Sequence, residues 1–221
     1  NNRAQSVAYG AARFLNESGH ASGGTYTGFQ FNLTGNSQNR ICSIGAISEA
    51  SNSRASSLVF ATDDGGNRTE KLRISSDGHV TKPNQPMFAA KGTTDAIVAQ
   101  SPLPFDNTSG TEYNVGNHYS TSTYKFTCPV NGYYYVTCHV VPTNYSTGGN
   151  NVELYVKDNS GNRYFLDRKV KTSNYSTNNF SVGGSRIIYQ TATSTMWVEF
   201  NSIVGSPTLE GSSHFGITLI G

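Results

Sequence analysis

Charge is scarce in this chain: only 14% of its 221 residues are Asp, Glu, Lys or Arg, and the 16 cationic side chains nearly cancel the 14 anionic ones. A net charge of +2 and a pI near 8.4 leave no basic stripe dense enough to follow a phosphate backbone, so no nucleic acid partner is expected. Long apolar runs are missing as well. Nothing approaches the roughly 20 residues that a helix needs to cross a bilayer, and no membrane insertion is expected. Cysteine is limited to Cys42, Cys128 and Cys138, an odd number in a chain too large to need a disulfide framework. Free buried thiols are the expected state; a Cys128 to Cys138 bridge across a hairpin stays open, because connectivity is not readable from spacing.

Patterns that carry chemistry are also lacking. The five histidines (His20, His79, His118, His139 and His214) are scattered, without the spacing of a metal site. There is no Gly-x-Ser-x-Gly elbow, phosphate-cradling loop, Cys-x-x-Cys pair or candidate pair of catalytic carboxylates. The run Asp63-Asp64-Gly65-Gly66-Asn67 lacks the later bidentate Glu of a calcium loop and reads as a hairpin turn. No catalysis, cofactor or metal is therefore expected. Sequons at Asn16, Asn32, Asn67, Asn107, Asn144 and Asn174 carry little weight in a chain so rich in Asn, Ser and Thr. A start at Asn1-Asn2-Arg3, without Met or a signal-like apolar segment, reads as a fragment or processed product.

What the chain has in plenty is Gly, Ser, Thr and Asn, together with 13 Tyr and 11 Phe. Aromatic and β-branched side chains suit a pleated surface, and Gly and Asn suit tight turns, so the expected fold is all-β. Two unequal parts are expected. Residues 1–81 hold few large apolar side chains; a short helix in the first dozen residues and strands at Tyr26–Leu33, Ile41–Ala50, Ser56–Thr62 and Glu70–Ser75 are predicted there, separated by turn residues. So few apolar residues cannot bury a core alone, so these strands should need partners from other chains, as in a homotrimeric β-stalk. Residues 82–86, with two prolines, read as a linker. Beyond them, strand candidates at 8 to 12 residue spacing over 87–221 indicate a sandwich or barrel: Met87–Lys91, Ile97–Gln100, Tyr124–Cys128, Tyr133–Val141, Asn151–Lys157, Arg163–Val170, Phe180–Tyr189, Thr195–Val204 and His214–Ile220.

Within this second part, YNVGNHYSTSTYKFTCPVNGYYYVTCHV (113–140) resembles the signature of C1q-like heads, matching at Asn114, Gly116, Tyr119, Phe126, Pro129, Gly132 and Tyr134. Val136 stands where that family usually has Phe, and Cys138 where it prefers an aromatic. Met87-Phe88-Ala89-Ala90, Pro104-Phe105-Asp106 and HFGITLIG (214–221) resemble the family's first strand, early Phe-Asp and closing strand. The resemblance implies a jelly-roll head of the C1q and tumour-necrosis-factor type that trimerises. Pro129-Val130-Asn131-Gly132 is expected to be a turn in which Gly132 takes a positive φ. Residues 57–80 in turn resemble a module recurrent in bacteriophage tail fibres, with a Glu-x-x-Arg-Ile-like strand before an Asp-Gly turn.

Strand alternation in a jelly roll gathers alternate loops at one end. Pro142–Asn150, Thr172–Asn179 and Gly205–Ser213 should form a free tip opposite the amino-terminal stalk. Tyrosine among Ser, Gly and Asn is the composition of adaptable recognition loops, which makes Asn144, Tyr145, Asn150, Asn174, Tyr175, Asn178, Asn179 and Glu210 candidate receptor contacts. Tyr145 and Tyr175 are the expected anchors, since neither continues the alternation of a neighbouring strand. The expected function is a homotrimeric virion fibre tip on the outside of a particle, joined to upstream fibre proteins and binding a host cell-surface receptor, a glycan. A secreted C1q-like lectin or adhesin of a cell and a purely structural trimerisation head remain the alternatives, with a surface-polysaccharide hydrolase behind them.

Overall fold

The computed structural model describes residues 26–33, 40–50, 54–63, 65, 68–108, 110, 112–145, 151–170 and 180–221. The chain divides into two compact units, Asn1–Asn84 and Gln85–Gly221, so the division falls within the proline-bearing segment 82–86. All regular structure among the described residues is β. The short helix expected in the first dozen residues lies outside the described residues.

The first unit is an antiparallel meander of β1 (Tyr26–Leu33), β2 (Arg40–Ser48), β3 (Ser56–Asp63), β4 (Arg68–Ile74) and β5 (Val80–Thr81), each strand paired with the next in sequence. Its turns are closed by local chemistry. The Gly65 amide donates to Asp63 Oδ1 at 2.8 Å, and Gly78, at a φ of 82°, donates its amide to the Ser75 carbonyl at 2.9 Å. One register shift does more than bend the sheet. Phe60 faces Leu72 but Ala61 faces Glu70, so Lys71 is an extra residue in β4. In a regular strand Glu70 and Arg73 would point to opposite faces; the bulge turns both to one face, where Arg73 Nε donates to Glu70 Oε1 at 2.8 Å and Nη2 to Oε2 at 2.6 Å. Arg73 Nη1 reaches Ser57 Oγ at 3.0 Å, and Ser57 in turn donates to Glu49. That hydroxyl, joined by the Ser76 side chain and amide, holds the Glu49 carboxyl down at about 2. The Glu-x-x-Arg pattern of residues 70–73 is thus a scaffold clamp.

The second unit is a two-sheet jelly roll. Its strands are β6 (Met87–Lys91), β7 (Tyr113–Val115), β8 (Tyr119–Ser120), β9 (Lys125–Thr127), β10 (Gly132–Val140), β11 (Pro142–Tyr145), β12 (Val152–Asp158), β13 (Arg163–Lys169), β14 (Val182–Gln190), β15 (Thr195–Phe200), β16 (Gly205–Leu209) and β17 (His214–Leu219). One sheet has the order β14-β10-β17-β6-β7, the other β13-β12-β15-β9-β8, and β11 and β16 form a separate two-stranded ribbon. Between the sheets lie the alternate residues of each strand. Phe88 stacks on Tyr119 with centroids 4.2 Å apart and meets Phe215 edge-on at 4.9 Å, and Phe126 packs edge-on to Tyr134 at 5.8 Å. Both of these phenols find carbonyl acceptors: Tyr119 donates to Phe105 at 2.7 Å and Tyr134 to Val130 at 2.6 Å. Asp158, 2% exposed, ties the sheets at one end by accepting from Asn162, Tyr164 and Gln190.

Three expectations need correction. Residues 97–100 do not form a strand; Ile97 is buried, but the segment turns and Gln100 takes a φ of 54°. Gly132 does not have a positive φ. It opens β10 with its Cα pressed on the chain's end, where a Cβ would lie 2.8 Å from the Gly221 carbonyl oxygen and from Leu219 Cδ1, so the demand for glycine there is steric. Pro142–Tyr145 and Gly205–Leu209, expected as loops, are the paired strands β11 and β16.

Candidate functional site

Two surfaces of the second unit can act on other molecules: the end of the jelly roll at the turns after β10 and before β17, and the outward face of the β14-β10-β17-β6-β7 sheet. The register sets the first. His139 pairs with His214 and Val140 with Val182 at one end of the sheet, while Met87 pairs with Thr218 and Gly132 with Gln190 at the other. The chain therefore enters and leaves the head at the end opposite the β11–β16 ribbon. Residues 92–97 join that ribbon: the Thr94 amide donates to Leu209, the Ile97 amide to Pro207, and Ala96 bridges to Thr208.

Of the candidate contacts, Asn144 is exposed at this end and Glu210 is half-buried in the turn after β16, its amide donating to Val141 at 3.0 Å. Tyr145 is not a surface anchor. Its ring is fully buried, meets Phe180 edge-on at 5.2 Å and points its hydroxyl at the Ser202 carbonyl, 3.3 Å away, and burial pushes its pKa up. The cause is one residue earlier. Asn144 takes a left-handed φ of 55°, which breaks the alternation of β11 and turns Tyr145 inward beside the buried Pro142. Asn150, Asn174, Tyr175, Asn178 and Asn179 lie outside the described residues.

The second surface was not singled out from sequence. Along β10, Tyr134, Val136 and Cys138 point into the sandwich while Tyr133, Tyr135, Thr137 and His139 point outward; along β14, Ile187 and Tyr189 point outward opposite Tyr135 and Tyr133. Tyr133, Tyr135, Ile187 and Tyr189 are each more than two-fifths exposed, and Tyr113 on β7 and Ile220 beyond β17 add to the same exposure. Tyr133 and Tyr189 pack edge-on at 5.3 Å, and further along the face His139 and His214 stack at 5.5 Å. The signal was available in Tyr133-Tyr134-Tyr135 and Ile187-Ile188-Tyr189: strands apolar at consecutive positions have two faces to cover, and the sandwich covers only one.

A model of the C1q domain matches residues 87–214, more than half of the chain. The chain belongs to the C1q family. Among solved structures, the globular domain of zebrafish complement 1qA protein covers 62% of this chain and 98% of its own at 17% identity and a TM-score of 0.46. An Eiger tumour necrosis factor from S. frugiperda covers 62% and 94% at 10% identity and a TM-score of 0.47. A search among curated proteins returns no match. By the family match residues 87–214 are a C1q head, a domain that in general trimerises and binds. The signature residues of this C1q head are scaffold. The Asn114 side chain clamps the Tyr119 backbone, accepting from its amide at 3.1 Å and donating to its carbonyl at 2.8 Å, and Gly116 holds a φ of 78° with His118 packed over it. Val136 and Cys138 are buried in the family's aromatic positions.

Cys128 and Cys138 are free and buried, whereas Cys42 is free and exposed. Burial pushes the Cys128 thiol up to about 12 and raises Cys138 as well, so neither is a reactive thiolate near neutral pH. Among the described residues no group of three or more His, Cys, Asp or Glu could hold a metal ion.

Proposed function

We propose that this C1q-family chain is a homotrimer assembled through the outward face of β10, β14 and β17, and that the trimer is the tip of a virion fibre that attaches to a host-surface receptor, a glycan. The observation that carries the assembly is the exposed row Tyr133, Tyr135, Ile187 and Tyr189, gathered on one face of the head. Four such side chains per chain, repeated three times around an axis, are the core of an interface of order 2,000 Å², the size of obligate assemblies. The viral setting is supported by the fibre-module likeness of residues 57–80, and the glycan by the Asn- and Ser-rich composition of segments 142–150 and 172–179. The mode of action is binding, with three copies of one surface giving avidity and no bond made or broken.

Light scattering on the purified chain tests the first half: the expected mass is three times 23.8 kDa, and Ile187→Asp is expected to give a folded monomer. A parent protein that is a folded monomer at micromolar concentration refutes the assembly. Glycan-array and host-cell adsorption measurements on the trimer test the second half, and a well-folded trimer that adsorbs to neither refutes the attachment role.

A further inference from the structure

The first unit has its burial inverted. One face of its sheet carries Ser43, Ser57 and Val59 together with the Glu70–Arg73 clamp, and there Ser43 and Ser57 are only 2% and 1% exposed. The other face is apolar and open. The register sets Phe29 beside Ile44, Ile44 beside Phe60 and Phe60 beside Leu72; one step along lie Ala46, Leu58 and Ile74, and Val80 extends the row. Phe29 is 53% exposed, Phe31 58%, Leu58 41% and Val80 62%, and the free thiol of Cys42 sits among them, between Phe31 and Thr62. Among the described residues, a sheet that hides serines and shows phenylalanines to solvent has no cover on its apolar side. The Lys71 bulge keeps the arrangement consistent, because without the extra residue either Leu72 and Ile74 or Glu70 and Thr69 would change faces.

We infer that this face packs against the same face of the other two copies in the trimer, so that three first-unit sheets enclose one shared apolar core. The inference rests on the homotrimer proposed above and adds a second, separate interface to it. The occupant follows from tethering. Thr81 ends β5 and Met87 opens the first strand of the C1q head, so the two are joined by a segment that spans at most roughly 20 Å. A trimer of heads therefore holds three identical apolar sheets within short reach of one another, at an effective concentration of about millimolar. No other partner begins with that advantage. Four strands at about 4.8 Å spacing and about eight residues long give each copy a face of order 500 Å², and three such faces together pass the roughly 1,000 Å² expected of a biological interface. The Glu70–Arg73 pair clamps on the opposite face, and Lys71 donates to Thr69 Oγ1 at 2.7 Å, at the end of the open face next to Thr62.

Cys42 provides the test, because Cys128 and Cys138 are buried in the head. In the native full-length trimer, a small maleimide is expected to label Cys42 on the order of 100-fold more slowly than in the Leu58→Asp variant, whose heads still hold it together as a trimer by light scattering. Equal, rapid labelling of Cys42 in parent and variant trimers overturns the inference and leaves the head assembly standing; a monomeric parent overturns both. Protection by the chain's own residues is separated by a second measurement. With a photoreactive benzoyl-phenylalanine in place of Leu58, ultraviolet light is expected to give denaturant-stable products of two and three chains. A product of single-chain mass alone assigns the cover to the same chain and overturns the inference.

Discussion

Replacing Tyr145 by Ala separates a core residue from a receptor anchor. The ring is fully buried and stacks edge-on with Phe180, so its removal takes a large apolar group out of water-free contact and leaves a cavity that the rigid β11–β16 ribbon cannot fill. Deleting a buried aromatic side chain costs about 3 to 5 kcal/mol. For a unit of this size that lowers Tm by roughly 10 to 20 °C. The hydroxyl contributes less: it meets the backbone at the Ser202 carbonyl, 3.3 Å away, and at Val204, and a neutral hydrogen bond is worth about 1 kcal/mol net, so Tyr145→Phe should cost about that much. Scanning calorimetry of the parent and both variants at one chain concentration is the assay, since the melting of an oligomer shifts with concentration. If Tyr145→Ala melts within about 3 °C of the parent while losing cell attachment, a change that small against the ledger above means the ring works at the surface and the burial argument is wrong.

Two further outcomes follow from buried groups. Burial alone would raise the Asp158 pKa, yet the hydrogen bonds from Asn162, Gln190 and Tyr164 outweigh it and the folded value is lowered. Its contribution is therefore present above the ordinary carboxylate range near pH 4 and is lost as pH falls through the lower folded value. Asp158→Asn should cost about 2 kcal/mol at pH 7 and flatten the acid side of a urea-midpoint profile; parallel profiles for parent and variant would contradict the account. Cys128→Ser and Cys138→Ser should each cost about 1 to 3 kcal/mol through a hydroxyl placed in an apolar site, and the mass of the unreduced protein should show both thiols intact, against a loss of two protons if they bridge.

The jelly roll was legible because its strands obey period two between turn residues, and because the signature glycines and aromatics each answer a local demand: Gly116 a left-handed φ, Tyr119 a carbonyl deep in the core. What misled was parity. Tyr145 follows an Asn in the left-handed conformation, and one such residue reverses the face of everything after it. Asn is the residue type that most readily takes that conformation, but composition alone does not say which Asn will. The β11–β16 pairing was invisible for a related reason: its partners are some 60 residues apart and carry Pro142, Pro207 and Gly205, residues that read as loop. The outward aromatic face was readable in principle, since two apolar faces on β10 exceed what one sandwich can bury, but a signature match explains the same residues as scaffold and draws the eye inward.

The two open apolar faces constrain where a receptor can bind. If the outward sheet of the head and the exposed face of the first unit are both covered by other copies, neither is available to a ligand, and Tyr133, Tyr135, Ile187 and Tyr189 are spent on assembly despite having the composition of a recognition surface. What stays open on the head is its rim and its second sheet. On that sheet the only tryptophan, Trp197, is closed over by Lys125 at 4.3 Å and Lys157 at 5.6 Å, while its Nε1 donates to the fully buried Glu199 at 3.0 Å. Arg163 Nη2 lies 3.0 Å from Glu199 Oε1 without the alignment of a hydrogen bond. Such a surface has its charges matched internally and offers little to a neutral sugar. The rim is different: Asn144, exposed on β11 with a left-handed backbone, lies beside the Thr143–Thr208 hydroxyl pair at 2.7 Å. Small, neutral, multiply hydrogen-bonding groups at the end of the head opposite Met87 and Gly221 suit sugar hydroxyls, and the proposed homotrimer would present them three times.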